Sequence, residues 1–96
     1  MLFLAIYKFH NASEELDKRT LKLFTNWQPP FEFKGHWARG DGQGGVAVFE
    51  ADSAEQVLEG ISPWSAFFDF DVTPAVDIQQ AVPILAKGNE WRDSVS

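Results

Sequence analysis

Leu2-Phe3-Leu4-Ala5-Ile6-Tyr7-Lys8-Phe9 opens the chain with eight residues that read as a strand. Successive side chains on a strand point to opposite faces. Leu2, Leu4 and Ile6 therefore share one face, and Phe3, Ala5, Tyr7 and Phe9 the other. Both faces are apolar, whereas a strand with one wet face would alternate apolar with polar. Val46 to Ala51 repeats the pattern, with Val46 and Val48 opposed to Ala47, Phe49 and Ala51. A sheet built on two such strands needs cover on both sides.

Working outward, Asn11 or Ser13 supplies a cap for a first helix, and Glu14 and Glu15 suit its positive end. Leu16, Thr20, Leu23, Phe24 and Trp27 fall on one helical stripe, which Pro29-Pro30 stops. Phe31 to Arg39 reads as a second strand, with Phe31, Phe33, Gly35, Trp37 and Arg39 on one face and Glu32, Lys34, His36 and Ala38 on the other. The glycine-rich stretch from Gly40 to Gly45 makes a hairpin to the third strand. Ser53 and Gln56 form a capping-box pattern before a helix whose stripe is Ala54, Val57, Leu58 and Ile61. Phe67 to Thr73 is the fourth strand, closed by Pro74. A short helical turn at Ile78, Val82 and Leu85, interrupted by Pro83, then precedes a polar tail over Lys87 to Ser96 that is expected to fray.

The order β-α-β-β-α-β predicts an α+β, ferredoxin-like fold with a four-stranded antiparallel sheet. The domain occupies residues 1–76, and residues 77–96 form a C-terminal extension. Two helices cover one sheet face only, so the other is expected to meet a second copy of the chain in a homodimer.

Composition narrows the function classes. Fourteen acidic against eight basic residues leave a formal charge of −6. Such an acidic surface repels phosphate backbones and anionic membranes, so neither nucleic acid nor a membrane is an expected partner. The chain has no cysteine, which removes thiolate chemistry and cysteine-rich metal sites. No metal site or cofactor is read from the remaining residues. The opening residues suit a strand better than an export signal, and no apolar run approaches the ~20 residues that span a bilayer. The expected location is the cytoplasm.

Met1 to Phe9, Glu50-Ala51-Asp52-Ser53, and Trp64-Ser65 with Asp69-Phe70-Asp71-Val72 and Pro74 resemble the DUF3303 family. The resemblance runs from about Met1 to Val76. It implies membership of the dimeric α+β barrel superfamily, in which two sheets face each other across a barrel-like interior. That superfamily includes cofactor-free monooxygenases, lactone isomerases, haem-degrading enzymes and stress-response proteins, and fold alone does not choose among them.

Gly40, Gly42 and Gly45 match G-x-G-x-x-G. A dinucleotide site needs a helix after that pattern. A strand follows here, so the glycines are read as the hairpin. His36 and His10 are the only histidines, and histidine as a residue type changes charge near neutral pH. His36, on a strand beside Trp37, is a candidate base or an exposed strand residue. Asp69 and Asp71 share a face of the fourth strand, where an enclosed carboxylate would also serve as a base and an open one would be a solvated edge. Tyr7 carries a polar tip on an apolar strand and is a candidate for orienting a ligand. The candidates are thus His36 and Asp69 for catalysis, with Tyr7, Trp37 and His10 for ligand contact. Three readings remain: a dimeric module holding a small apolar ligand between sheet and helices, a cofactor-independent enzyme that abstracts a proton, and a structural or assembly protein.

Overall fold

The computed structural model describes residues 1–11 and 13–95; Ala12 and Ser96 lie outside them. The elements are β1 (Leu2–Phe9), α1 (Glu14–Thr25), β2 (Glu32–Ala38), β3 (Gly44–Glu50), α2 (Ala54–Ile61), β4 (Phe68–Pro74) and α3 (Ile78–Val95). A single 3-10 turn, Ser62–Trp64, follows α2. The strands form one antiparallel sheet in the order β2-β3-β1-β4, the α+β ferredoxin-like arrangement that the element order predicts.

Local chemistry starts both early helices. The Ser13 hydroxyl accepts from the Leu16 N–H at 3.1 Å, and Glu14, Glu15 and Asp17 occupy the first turn of α1. The Ser53 hydroxyl accepts from the Gln56 N–H at 3.1 Å, while the Gln56 side chain accepts from the Asp52 N–H at 2.6 Å. Donors that the helix itself leaves unpaired are satisfied in this way.

Register sorts the sheet into two faces. Phe3 pairs with Phe49 and Ala5 with Ala47, and these four, with Ala51, are the buried core. Phe31 from the α1–β2 connection stacks on Phe49 at 4.0 Å, and Val57 of α2 packs on the same cluster. On the opposite face Leu4 pairs with Val48 and Ile6 with Val46. Ile6 is 46% exposed there, and neither α1 nor α2 covers it.

Two expectations are corrected. β2 is not a regular strand: its register slips between Phe33 and Gly35, leaving Lys34 as an extra residue opposite β3. A bulge of this kind resets which face later residues occupy. His36 joins Phe33 on the helix-covered face, and Trp37 passes to the other. The second correction is α3, which runs unbroken through Pro83 to Val95 in place of a short turn and a frayed tail. Proline there removes one ladder bond, the one to the Gln79 carbonyl, and the helix continues on either side. Among the described residues no helix is long and apolar enough to cross a membrane.

Phe49 is the largest side chain that is fully buried. Phe49→Ala is expected to cost about 3–5 kcal/mol, a large share of the roughly 5–15 kcal/mol available to a domain of this kind. Urea unfolding of the two proteins measures it.

Candidate functional site

The helix-covered face is not filled from end to end. Phe3, Phe31 and Phe49 fill the half of it under α2. Towards the β2–β3 hairpin, α1 arches over a cavity of about 380 Å³ between itself, the sheet and the 3-10 turn. Phe24 of α1, Trp27 just after it, Phe33 of β2, Phe68 and Phe70 of β4, and Trp64 of the turn give it a largely aromatic wall. Its ionisable side chains are Asp17, His36 and Tyr7, and it has no lysine or arginine.

One hydrogen bond joins two side chains of its wall. The Tyr7 hydroxyl lies 2.6 Å from His36 Nε2. β1 and β2 are separated by β3, so the two backbones stand roughly 9–10 Å apart, and the phenol bridges that gap. It passes over Gly45, which pairs with Tyr7 in the sheet. A Cβ at Gly45 would collide with the Tyr7 hydroxyl, so a glycine is needed at that point. His36 is held in turn by Phe33, stacked on it at 4.8 Å and 6°, and by the edge of Phe24 at 5.8 Å. Phe68 meets the Tyr7 ring edge-on at 4.9 Å.

Electrostatics fix the direction of the bond. Burial lowers the His36 pKa below the ordinary histidine value and raises that of the Tyr7 phenol. Loss of water disfavours imidazolium and phenolate alike. Near neutral pH both groups are uncharged, and because an imidazole nitrogen is a much stronger acceptor than a phenol oxygen, the favoured tautomer carries the ring proton on Nδ1, with the Tyr7 O–H donating to Nε2. The indole N–H of Trp64, a residue 8% exposed, is buried with no hydrogen-bond partner among the described residues.

A family model described as a domain of unknown function, DUF3303, matches residues 1–89. The chain belongs to the DUF3303 family. No curated protein is found to match it. The match extends past Val76 into α3, so the family's sequence pattern includes much of the C-terminal helix of this DUF3303 protein.

The structure brings two of the predicted site residues, Tyr7 and His36, together in the cavity wall, and pairs two others, His10 and Asp69, outside it. Trp37 lies on the open face, 60% exposed, with its ring over Gly35. It does not line the DUF3303 cavity, because the Lys34 bulge turns it away. Asp69 is on that same open face, opposite Lys8 and beyond reach of His36. Its carboxylate meets His10 Nε2 at 3.1 Å, and its side chain is 82% exposed. Such a pair in water contributes about 0–1 kcal/mol. The glycine-rich stretch connects β2 to β3 as a hairpin, with Gly42 at φ +74°. Sequence reasoning missed Phe24, Phe33 and Asp17 as cavity walls. The α1 stripe contained a signal for Phe24, whereas Phe33 reaches the cavity through a bulge that no local pattern announces.

A pH dependence follows from His36. Its folded pKa lies below its unfolded value, so the unfolded chain binds this proton more readily. The stability contributed by the neutral imidazole is therefore fully present above the ordinary value of about 6.5 and is lost as pH falls from there towards the folded pKa. Urea melts from pH 7.5 to 5 should show His36→Asn losing less stability than wild type across that window. Equal slopes would mean that His36 is not desolvated.

Proposed function

We propose that this DUF3303 protein is a cytoplasmic, homodimeric α+β barrel domain that binds a small, neutral, apolar ligand between its sheet and α1. One observation carries the reading: an aromatic cavity of about 380 Å³ with a single hydrogen-bonded polar pair, Tyr7–His36, in its wall. Small-molecule sites are mostly apolar clefts of about 300–1,000 Å³ with a few placed polar groups. With no lysine or arginine in the wall, an anionic ligand would find no fixed cation beside it. A neutral ring system would match the walls, and a polar substituent on it would engage Tyr7, whose oxygen still accepts while its proton is given to His36. The half-open sheet face, with Ile6 and Trp37 exposed, supports the second copy.

A second reading rests on the same contact. A neutral imidazole bonded to a phenol in the wall of an apolar cavity can take a proton from a bound substrate through the Tyr7 oxygen, which accepts the substrate's proton as its own passes to Nε2. That would make the site a cofactor-independent proton-abstracting enzyme with His36 as base and Tyr7 as relay. Asp69 would have no part in it.

The binding reading is tested with N-phenyl-1-naphthylamine, a neutral fluorophore that brightens in apolar surroundings. Wild type is expected to enhance its emission saturably, and neutral aromatic ketones and phenols are expected to displace it and raise the melting temperature. Tyr7→Phe should weaken the polar competitors several-fold while leaving the fluorophore bound. Absence of both enhancement and thermal shift would remove the reading. Sedimentation should give twice the 10.8 kDa chain mass, and a monomer at micromolar concentration would remove the dimer.

A further inference from the structure

A hydroxyl donates one hydrogen bond and accepts others, so what it offers a ligand depends on what its partner has already taken. In the cavity wall the Tyr7 hydroxyl lies 2.6 Å from His36 Nε2, and both residues line the space. With the imidazole neutral and its own proton on Nδ1, the Tyr7 proton is given to Nε2. The phenol oxygen can then only accept from a ligand. With the imidazole protonated, both ring nitrogens are donors. Nε2–H must then donate to the Tyr7 oxygen, and the Tyr7 O–H is released to donate elsewhere. One proton added at His36 turns the same hydroxyl from acceptor into donor.

The surrounding rings keep the pair together through that change. Phe33 stacks on the imidazole at 4.8 Å and 6°, and Phe24 meets it edge-on at 5.8 Å. Phe68 braces the phenol edge-on at 4.9 Å, and Gly45 lies beneath its hydroxyl. These contacts fix the planes of both partners, so protonation reverses the direction of the bond and leaves its ends in place. The imidazole is also partly exposed, which lets solvent protons reach it without the fold opening. Among the described residues the wall has one further charge-bearing side chain, the exposed carboxylate of Asp17 on α1. What β3, β4, α2 and the 3-10 turn bring to the wall is uncharged. Burial lowers the His36 pKa, so its titration falls below the ordinary value of about 6.5.

We propose that the Tyr7–His36 pair selects the polar group of the ligand, taking a hydrogen-bond donor such as a phenol or alcohol while His36 is neutral and an acceptor such as a ketone once His36 is protonated. This rests on the reading of the cavity as a ligand site and names the substituent that the site prefers. A carbonyl is served by Tyr7 at neutral pH only when the ring proton moves to Nε2, the less favoured tautomer, so carbonyl ligands bind there at a disadvantage. The net worth of one hydrogen bond sets the scale of the selection, roughly two- to tenfold in affinity. Linkage makes the coupling reciprocal. A donating ligand holds the imidazole neutral and lowers the His36 pKa. An accepting ligand stabilises the imidazolium and raises it.

Naphthalene, 2-naphthol and 2-acetylnaphthalene share one ring system and are uncharged from pH 7.5 to 5. Each is measured by displacement of N-phenyl-1-naphthylamine. Affinity ratios are taken at a single pH, so that any effect of pH on the fluorophore or on the folded fraction cancels. Long-range ¹H–¹⁵N correlation, with His10→Asn removing the other imidazole, gives the His36 tautomer and the pH at which it protonates. The naphthol-to-ketone ratio is expected to fall at least threefold as His36 protonates, with the ring proton on Nδ1 above that transition. Relative to naphthalene, 2-naphthol should lower the His36 pKa and 2-acetylnaphthalene should raise it. Tyr7→Phe and His36→Leu should each make the ratio independent of pH, and Asp17→Asn should leave its change intact. If the fluorophore binds but the wild-type ratio stays constant while His36 titrates, or the ring proton sits on Nε2, the selection is overturned and the apolar site stands. A change in ratio that survives His36→Leu, or that disappears in Asp17→Asn, belongs to another group and overturns it as well. So does an imidazole that stays neutral until the chain unfolds. A fluorophore that does not bind overturns both the site and the selection.

Discussion

β1 is hydrogen-bonded along both edges, to β3 and to β4, so its alternation is imposed on the whole sheet. Phe3, Ala5, Tyr7 and Phe9 face α1 and α2, and every residue paired with them on β3 and β4 faces the same way. Leu2, Leu4, Ile6 and Lys8 face outward and carry Val46, Val48, Asp69 and Asp71 with them. A slip of one residue in either ladder would exchange the two faces. The interior is therefore organised by the odd positions of one strand, and the even positions are left with a surface too apolar to be idle.

Within the inner face, two backbone features turn a packed sheet into a site. Regular pleating would have sent Phe33 and His36 to opposite sides. The extra residue at Lys34 brings both inward, so that Phe33 stacks on the imidazole it would otherwise have been parted from. Gly45 then leaves the surface of β3 low enough for the Tyr7 phenol to lie across it. Neither feature suffices alone. Without the bulge there is no imidazole to reach, and without the glycine the phenol cannot reach it. A neutral O–H···N bond also suits this position better than an ion pair would. Withdrawal from water raises the Tyr7 pKa and lowers that of His36, so burial reinforces the uncharged form of both partners and opposes neither.

What was legible in the sequence was what short-range rules determine. The two-faced β1, the Ser53–Gln56 box and the β2–β3 hairpin are each set by residues at most a few positions apart, and all three are found. Glu32 to Ala38 is different. Its alternation reads equally well as a regular strand, and the bulge becomes visible only when Phe33 and Gly35 are matched to neighbours on β3. That pairing placed Trp37 outside and His36 inside, the reverse of what simple alternation gives for Trp37 relative to Phe33. α3 was hidden for another reason. Pro83 and the polar residues after Lys87 argue locally against a long helix, yet one missing ladder bond is a limited cost when twelve more residues can propagate the helix beyond it. The cavity was not legible at all, since it arises from the gap that α1 leaves above the sheet.

The aromatic content of 15% is better understood from the site than from the core. The buried cluster under α2 has only Phe3 and Phe49 as rings, together with three alanines. Small residues there let β1 and β3 lie close beneath α2. The remaining rings, from Phe24 and Trp27 through Trp64 to Phe68 and Phe70, stand tilted or edge to face around empty volume, Trp64 and Phe68 buried and the others partly wet. A chain selected only for stability would collapse such a space, because each unfilled contact forfeits dispersion energy. Rings hold it open because they are rigid and brace one another at fixed angles: Trp27 against Trp64 at 77°, Tyr7 against Phe68 at 79°. The cavity is thus preformed. Under the proposed reading, a ligand entering it would gain apolar contact on several walls at little cost in reorganising them, and the hydroxyl of Tyr7 would set its orientation.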